Sequence, residues 1–156
     1  MIVRGLPHAH PEVIGERGVC AAGHPREAEA GARQEGESTG AVLRRIFETL
    51  ASTMLEDRPL WQCIVLADAL NPMRAPEQRD ADRDATRGLA AILARGQRAG
   101  EITDHFSAVR LAENLIAMQV LACLAWGVDM LEGGSIEEVL AENLDFFLRG
   151  AAAAKG

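Results

Sequence analysis

The side chains best suited to hold a metal ion stand near the start of the chain, as His8, His10, Cys20 and His24. Imidazole and thiolate bind zinc tightly, but structural zinc sites take ligands in pairs at short, fixed spacings. The order and spacing here match no such template, so no metal is expected and no cofactor is implied. Cys20, Cys63 and Cys123 are odd in number and far apart, which suits reduced thiols in a cytosol better than a disulfide framework. Cys63 and Cys123 fall in apolar helical segments and are expected to be inert core thiols. Asp80, Asp82 and Asp84 lie in the charged run EQRDADRDATR, which reads as a solvated helix face, and His105 beside Asp104 reads as a first-turn surface residue. No Ser/His/Asp or Cys/His set and no Gly-rich phosphate loop stands out, so the chain is not expected to be an enzyme. Gln119 is the odd residue. It is the one polar member of the apolar run Leu115–Trp126, and buried without a partner its amide would cost about 1–3 kcal/mol.

The elements that must position these residues are helices. Residues 1–40 hold seven of the 15 Gly and three of the six Pro, with few and aperiodic apolar residues. Such a segment cannot bury enough surface to offset its ordering entropy and is expected to be a disordered tail, or a stretch read from a false start. From residue 41 the period is helical. Leu43, Ile46, Phe47, Leu50 and Met54 recur at i, i+3, i+4, i+7 and i+11, which predicts an amphipathic helix over 41–56. Pro59 suits the first turn of a second helix, over 59–70, with Leu60, Trp61, Ile64, Val65 and Leu66 inward. A third helix, from about Pro76 to Ala99, pairs Asp80 with Arg83 and Asp84 with Arg87 on its outer face and buries Leu89, Ile92 and Leu93.

Gly100 then supplies the left-handed residue that ends a helix, with Arg95 and Arg98 at the negative end of its dipole. Asp104 or Thr103 is expected to cap a fourth, nearly all-apolar helix running to about Met130. Ser135-Ile136-Glu137-Glu138 is a capping box that opens a last helix with an Ile136, Val139, Leu140, Leu144, Phe147 stripe. A helix apolar on every side must be covered on every side, and five helices barely suffice. The last two helices are therefore expected to pair with those of a second chain as a four-helix bundle. The fold class is all-α.

Bulk charge excludes other classes. With a net charge of −7 and no basic cluster, the chain is a poor polyanion binder. No apolar h-region marks a signal peptide, and the 12-residue run Leu115–Trp126 is too short to span a bilayer. A cytoplasmic protein is expected.

RGQRAGEIT followed by DHFSAVRLAENLIAMQVLACLAWG, and the ending SIEEVLAENLDFFLRGAA, resemble the C-terminal domain of TetR-family bacterial transcriptional regulators. The matching elements are Ala94 to Ile102, Asp104, Trp126-Gly127 and Leu148-Arg149-Gly150, and the resemblance covers roughly residues 41 to 152. It implies an effector-binding and dimerisation domain of about five helices. The family's N-terminal helix-turn-helix reader has no counterpart here: the chain has no Tyr, and residues 1–40 have neither the helical period nor the turn. The resemblance thus implies a truncated regulator without direct DNA contact, acting as a homodimer or with a full-length relative. It also implies a pocket for a small apolar effector, with Met54, Trp61, Cys63, Ile64, Asn114 and Met118 as candidates and Asn114 as the polar handle. Each of Met54, Trp61 and Met118 is also readable as plain core. Gln119 either reaches that ligand or bonds across the dimer axis. Leu121, Leu124, Val128, Leu140, Asn143 and Phe147 are the implied dimer residues, against the alternative of an intramolecular helix pair. A stand-alone helical interaction module is the competing functional reading.

Overall fold

The computed structural model describes residues 36–70, 76–131 and 134–153. Residues 1–35 lie outside them, and with them the expected tail and its His8, His10, Cys20 and His24. The described residues form an all-α bundle of five helices: α1 Thr39–Glu56, α2 Arg58–Leu70, α3 Pro76–Arg98, α4 Ala108–Gly127 and α5 Ile136–Ala151. Helix α1 packs on α5, and α4 packs on α3, α5 and α2. The core falls into two clusters stacked along the bundle. One joins Val42, Leu43 and Phe47 of α1 to Ile92 and Leu93 of α3, Leu111 and Leu115 of α4, and Leu144 and Phe147 of α5. The other joins Ala51 and Met54 of α1 to Trp61 and Val65 of α2, Ala122 and Trp126 of α4, and Ile136 and Leu140 of α5. Leu50 packs against both.

The helix ends follow local chemistry. Ser38 Oγ accepts from the Ala41 N–H, so α1 starts at Thr39, ahead of the expected position. Asp57 Oδ1 accepts from the Leu60 N–H at the start of α2. The capping box of α5 is complete: Ser135 Oγ accepts from Glu138 N–H (3.2 Å) and Glu138 Oε2 from Ser135 N–H (2.9 Å). At the end of α3, Gly100 is left-handed (φ 71°), and the Glu101 N–H donates to Gly96 O (2.9 Å) and the Gly100 N–H to Gln97 O (3.1 Å). Those two bonds are the Schellman pattern, which satisfies carbonyls the helix leaves open.

The expected cap at Thr103 or Asp104 is corrected. Ser107 caps α4, its Oγ accepting from the Arg110 N–H (3.2 Å). The reason is non-local. Ile102 bridges to Ala152, Thr103 N–H donates to Ala151 O (2.8 Å) and Ala153 N–H to Glu101 O (3.3 Å), so the chain after Gly100 is held against the end of α5. Gln97 Nε2 donates to Thr103 O and Phe106 O, both 2.8 Å, and fixes the same loop. Helix α4 also ends earlier than expected, at Gly127, with Val128 as its C-cap.

The Glu after Gly100 has a structural task. Glu101 Oε2 accepts from the Thr39 backbone N–H (2.6 Å), placing a carboxylate at the N-terminus of α1, where the helix dipole favours one. Gly96 lies under the same junction. A Cβ there would meet the Thr39 hydroxyl and would stand 2.8 Å from Ile102 Cγ1. Gly96→Ala is expected to lower the unfolding free energy by about 1–3 kcal/mol through overpacking, despite the better helix propensity of Ala, read from urea unfolding.

Candidate functional site

Helix α4 organises the centre of the bundle. At 20 residues, and despite Arg110, Glu113, Asn114 and Gln119, it is long and apolar enough to cross a membrane by length and composition, whereas the 12-residue run within it is too short. One face is seated in the protein, through Leu111, Ala112, Leu115, Gln119, Ala122 and Trp126. Among the described residues, α2 and α3 do not pack closely on one another: α3 covers the upper part of α4 and α2 the lower. The two core clusters therefore meet at a seam near Leu50, Met118 and Gln119.

Two side-chain amides pin α4 to α5 at that level. Gln119 Nε2 donates to Leu140 O (3.2 Å), and Asn143 Nδ2 donates to Met118 O (3.3 Å). Gln119 is 3% exposed, and its Oε1 is buried without a hydrogen-bond partner. That unpaired acceptor costs about 1–3 kcal/mol, a penalty located in the middle of the bundle.

The candidate effector residues divide. Met54, Trp61 and Ile64 are buried, and Met118 is half-buried against the upper cluster. Cys123 Sγ lies 3.9 Å from Met54 Sδ, so sulfur atoms of α1 and α4 touch just below the seam. Asn114 and Cys63 are exposed. Cys63 as a core thiol is corrected: successive residues turn by about 100°, so a residue two places from both Trp61 and Val65 faces away from them. Burial pushes the Cys123 thiol up to about 11, with a backbone hydrogen bond partly opposing the shift. At pH 8 this leaves roughly a hundredth of the thiolate that a thiol two pKa units lower would present. Alkylation with iodoacetamide is expected to modify Cys63 well before Cys123 in the native protein, as read by peptide mass spectrometry.

The candidate dimer residues divide too. Leu121 is 67% exposed and Val128 is exposed, while Leu124 packs partly on the lower cluster. Leu140 (1%) and Phe147 (7%) are buried in the chain's own core, and Asn143 spends its amide on Met118 O. Phe146, absent from the sequence-based candidates, is 74% exposed. Val109, Val120, Leu121 and Val128 on α4 and Phe146 on α5 leave these two helices with large apolar side chains in solvent. The full cover expected for α4 is thus not supplied by the described residues. Arg58 anchors the other end of α4, over the Trp126 ring (5.4 Å to its centroid) and 2.7 Å from Asp129.

No protein-family model and no curated protein matches the chain. Two solved structures share its architecture. Thermus thermophilus FadR, a TetR family transcriptional repressor solved in complex with lauroyl-CoA, superposes with a TM-score of 0.67 at 26% identity, over 86% of this chain and 69% of that one. A protein of unknown function from Rhodococcus sp. RHA1 superposes with a TM-score of 0.66 over 90% of this chain and 72% of that one. Its 21% identity speaks for the fold alone. The likeness to the repressor supports the TetR-like C-terminal domain that the sequence resemblance implies.

Proposed function

We propose that this domain is the effector-sensing and pairing part of a TetR-like bacterial transcriptional regulator, working in the cytoplasm. The observation that carries the reading is the exposed apolar face of α4 and α5, with Leu121 at 67% and Phe146 at 74% exposure. Scattered apolar residues are ordinary on a surface, but a set shared by two neighbouring helices marks an interaction site. A second copy presenting the same face completes a four-helix bundle around a two-fold axis.

The sensing half of the proposal rests on the seam. Helices α2 and α3 are held to each other mainly through α4, so a ligand wedged between the clusters shifts them relative to α4 and α5. The FadR repressor was solved with lauroyl-CoA, a precedent for a largely apolar effector. Met54, Trp61, Ile64, Met118 and Gln119 are the residues assigned to it. Direct DNA contact is not assigned to these helices, because the chain's net charge is −7.

Light scattering across a dilution series tests the pairing. A particle of two chains that persists on dilution is the expected result. A monodisperse single chain at all concentrations overturns the pairing and, with it, the regulator reading.

A further inference from the structure

We propose that Gln119 Oε1 is the acceptor for a hydroxyl or N–H of an uncharged, largely apolar ligand held between the two core clusters. This deepens the sensor reading above and rests on it. The Gln119 amide is oriented by its own hydrogen bond: a carbonyl accepts only from a donor, so the NH2 group is the end that faces Leu140 O, 3.2 Å away. The amide is planar with its two heads about 120° apart, so Oε1 points away from Leu140 O, at a level of α4 between Leu115 of one core cluster and Ala122 of the other. It is buried there and has no partner.

The surroundings name the ligand class. Leu50, Met54, Met118 and Cys123 lie along the seam, and they are apolar and soft. Several ion-paired side chains of α1, α3 and α4 stand at the surface: Arg44 is exposed and paired with Asp145, Arg83 and Arg87 are exposed along α3, and Arg110 and Glu113 are exposed at the start of α4. The hydrogen bond described for Gln119 runs to a backbone carbonyl, and an ionised ligand buried in this apolar lining would lose its hydration. The acceptor is buried, so a ligand must displace side chains to reach it, and Met54 and Met118, each with three rotatable bonds, are the flexible ones near this level. A donor on the ligand then satisfies the carbonyl, which a purely apolar ligand leaves unpaired.

Three matched probes test this on the full chain by calorimetry at pH 7: 4-propylphenol, its methyl ether 4-propylanisole, and 4-propylbenzoate. The phenol is expected to bind about tenfold or more tighter than the ether, the worth of one net hydrogen bond, with the benzoate weakest. In Gln119→Met, which keeps the length and loses the acceptor, the phenol's advantage over the ether is expected to fall below about threefold. Equal binding of phenol and ether by the natural chain overturns the inference, as does a tightest benzoate or an undiminished preference in Gln119→Met. In each of those cases binding itself leaves the sensor reading standing. If none of the three binds, both the inference and the sensor reading fail. Should Gln119→Met not fold, the probe ranking of the natural chain decides alone.

Discussion

Truncating Leu140 to alanine is expected to lower the unfolding free energy by about 2–5 kcal/mol, because it opens a cavity in the lower core cluster. Leu140 is 1% exposed, and its carbonyl also receives the Gln119 amide, so the truncation loosens the α4–α5 contact where that amide pins it. Phe146→Ala on the same helix is the matched comparison. Phe146 is 74% exposed, and its loss is expected to change the stability of the single chain by no more than about 0.5 kcal/mol. In a paired particle the two variants separate by their concentration dependence. The Leu140→Ala deficit persists at every protein concentration, whereas Phe146→Ala weakens the rise of the urea midpoint with concentration. Equal, concentration-independent losses would mean that both faces of α5 serve the chain's own core.

Leu121→Arg is expected to convert a two-chain particle into single chains without unfolding them. The side chain is 67% exposed in the chain alone, so arginine there is tolerated by the fold. Across a two-fold axis the substitution places two unpaired guanidinium groups into a desolvated apolar interface, a penalty of several kcal/mol that outweighs the worth of most single contacts. Light scattering reads the mass and far-ultraviolet circular dichroism checks the helices. Arg83→Ala, in the exposed first half of α3, serves as the control and is expected to leave the mass unchanged. A Leu121→Arg particle that keeps the mass of two chains would move the pairing surface away from α4.

The elements legible from the residues alone were those specified by near neighbours. The i, i+3, i+4 recurrence of Leu43, Phe47, Leu50 and Met54 marks α1 because a helix turns by a fixed angle per residue. The Ser135–Glu138 box and the Gly100 turn are legible for the same reason: their hydrogen bonds close within a few residues. Cys63, expected in the core, is exposed by that same geometry, because Trp61, Ile64 and Val65 define the inner face.

The rest was decided by contacts between distant segments. Ser107 rather than Asp104 caps α4 because Ile102 and Thr103 are held by Ala152 and Ala151, some fifty residues on, and the end of α5 cannot be read from the loop it restrains. The Leu140–Phe147 stripe shows that α5 has an apolar face, but periodicity does not say what covers it. In the structure α1 and α4 of the same chain do, which leaves Phe146, Leu121 and Val128 among the side chains that the described residues do not cover. Gln119 shows the division at one residue. Its isolation in an apolar run made a buried, costly amide legible. Only the packing of α4 on α5 determined that its NH2 end is satisfied by Leu140 O while its carbonyl is left open, because a hydrogen bond needs a partner that the fold, not the neighbouring sequence, brings within reach.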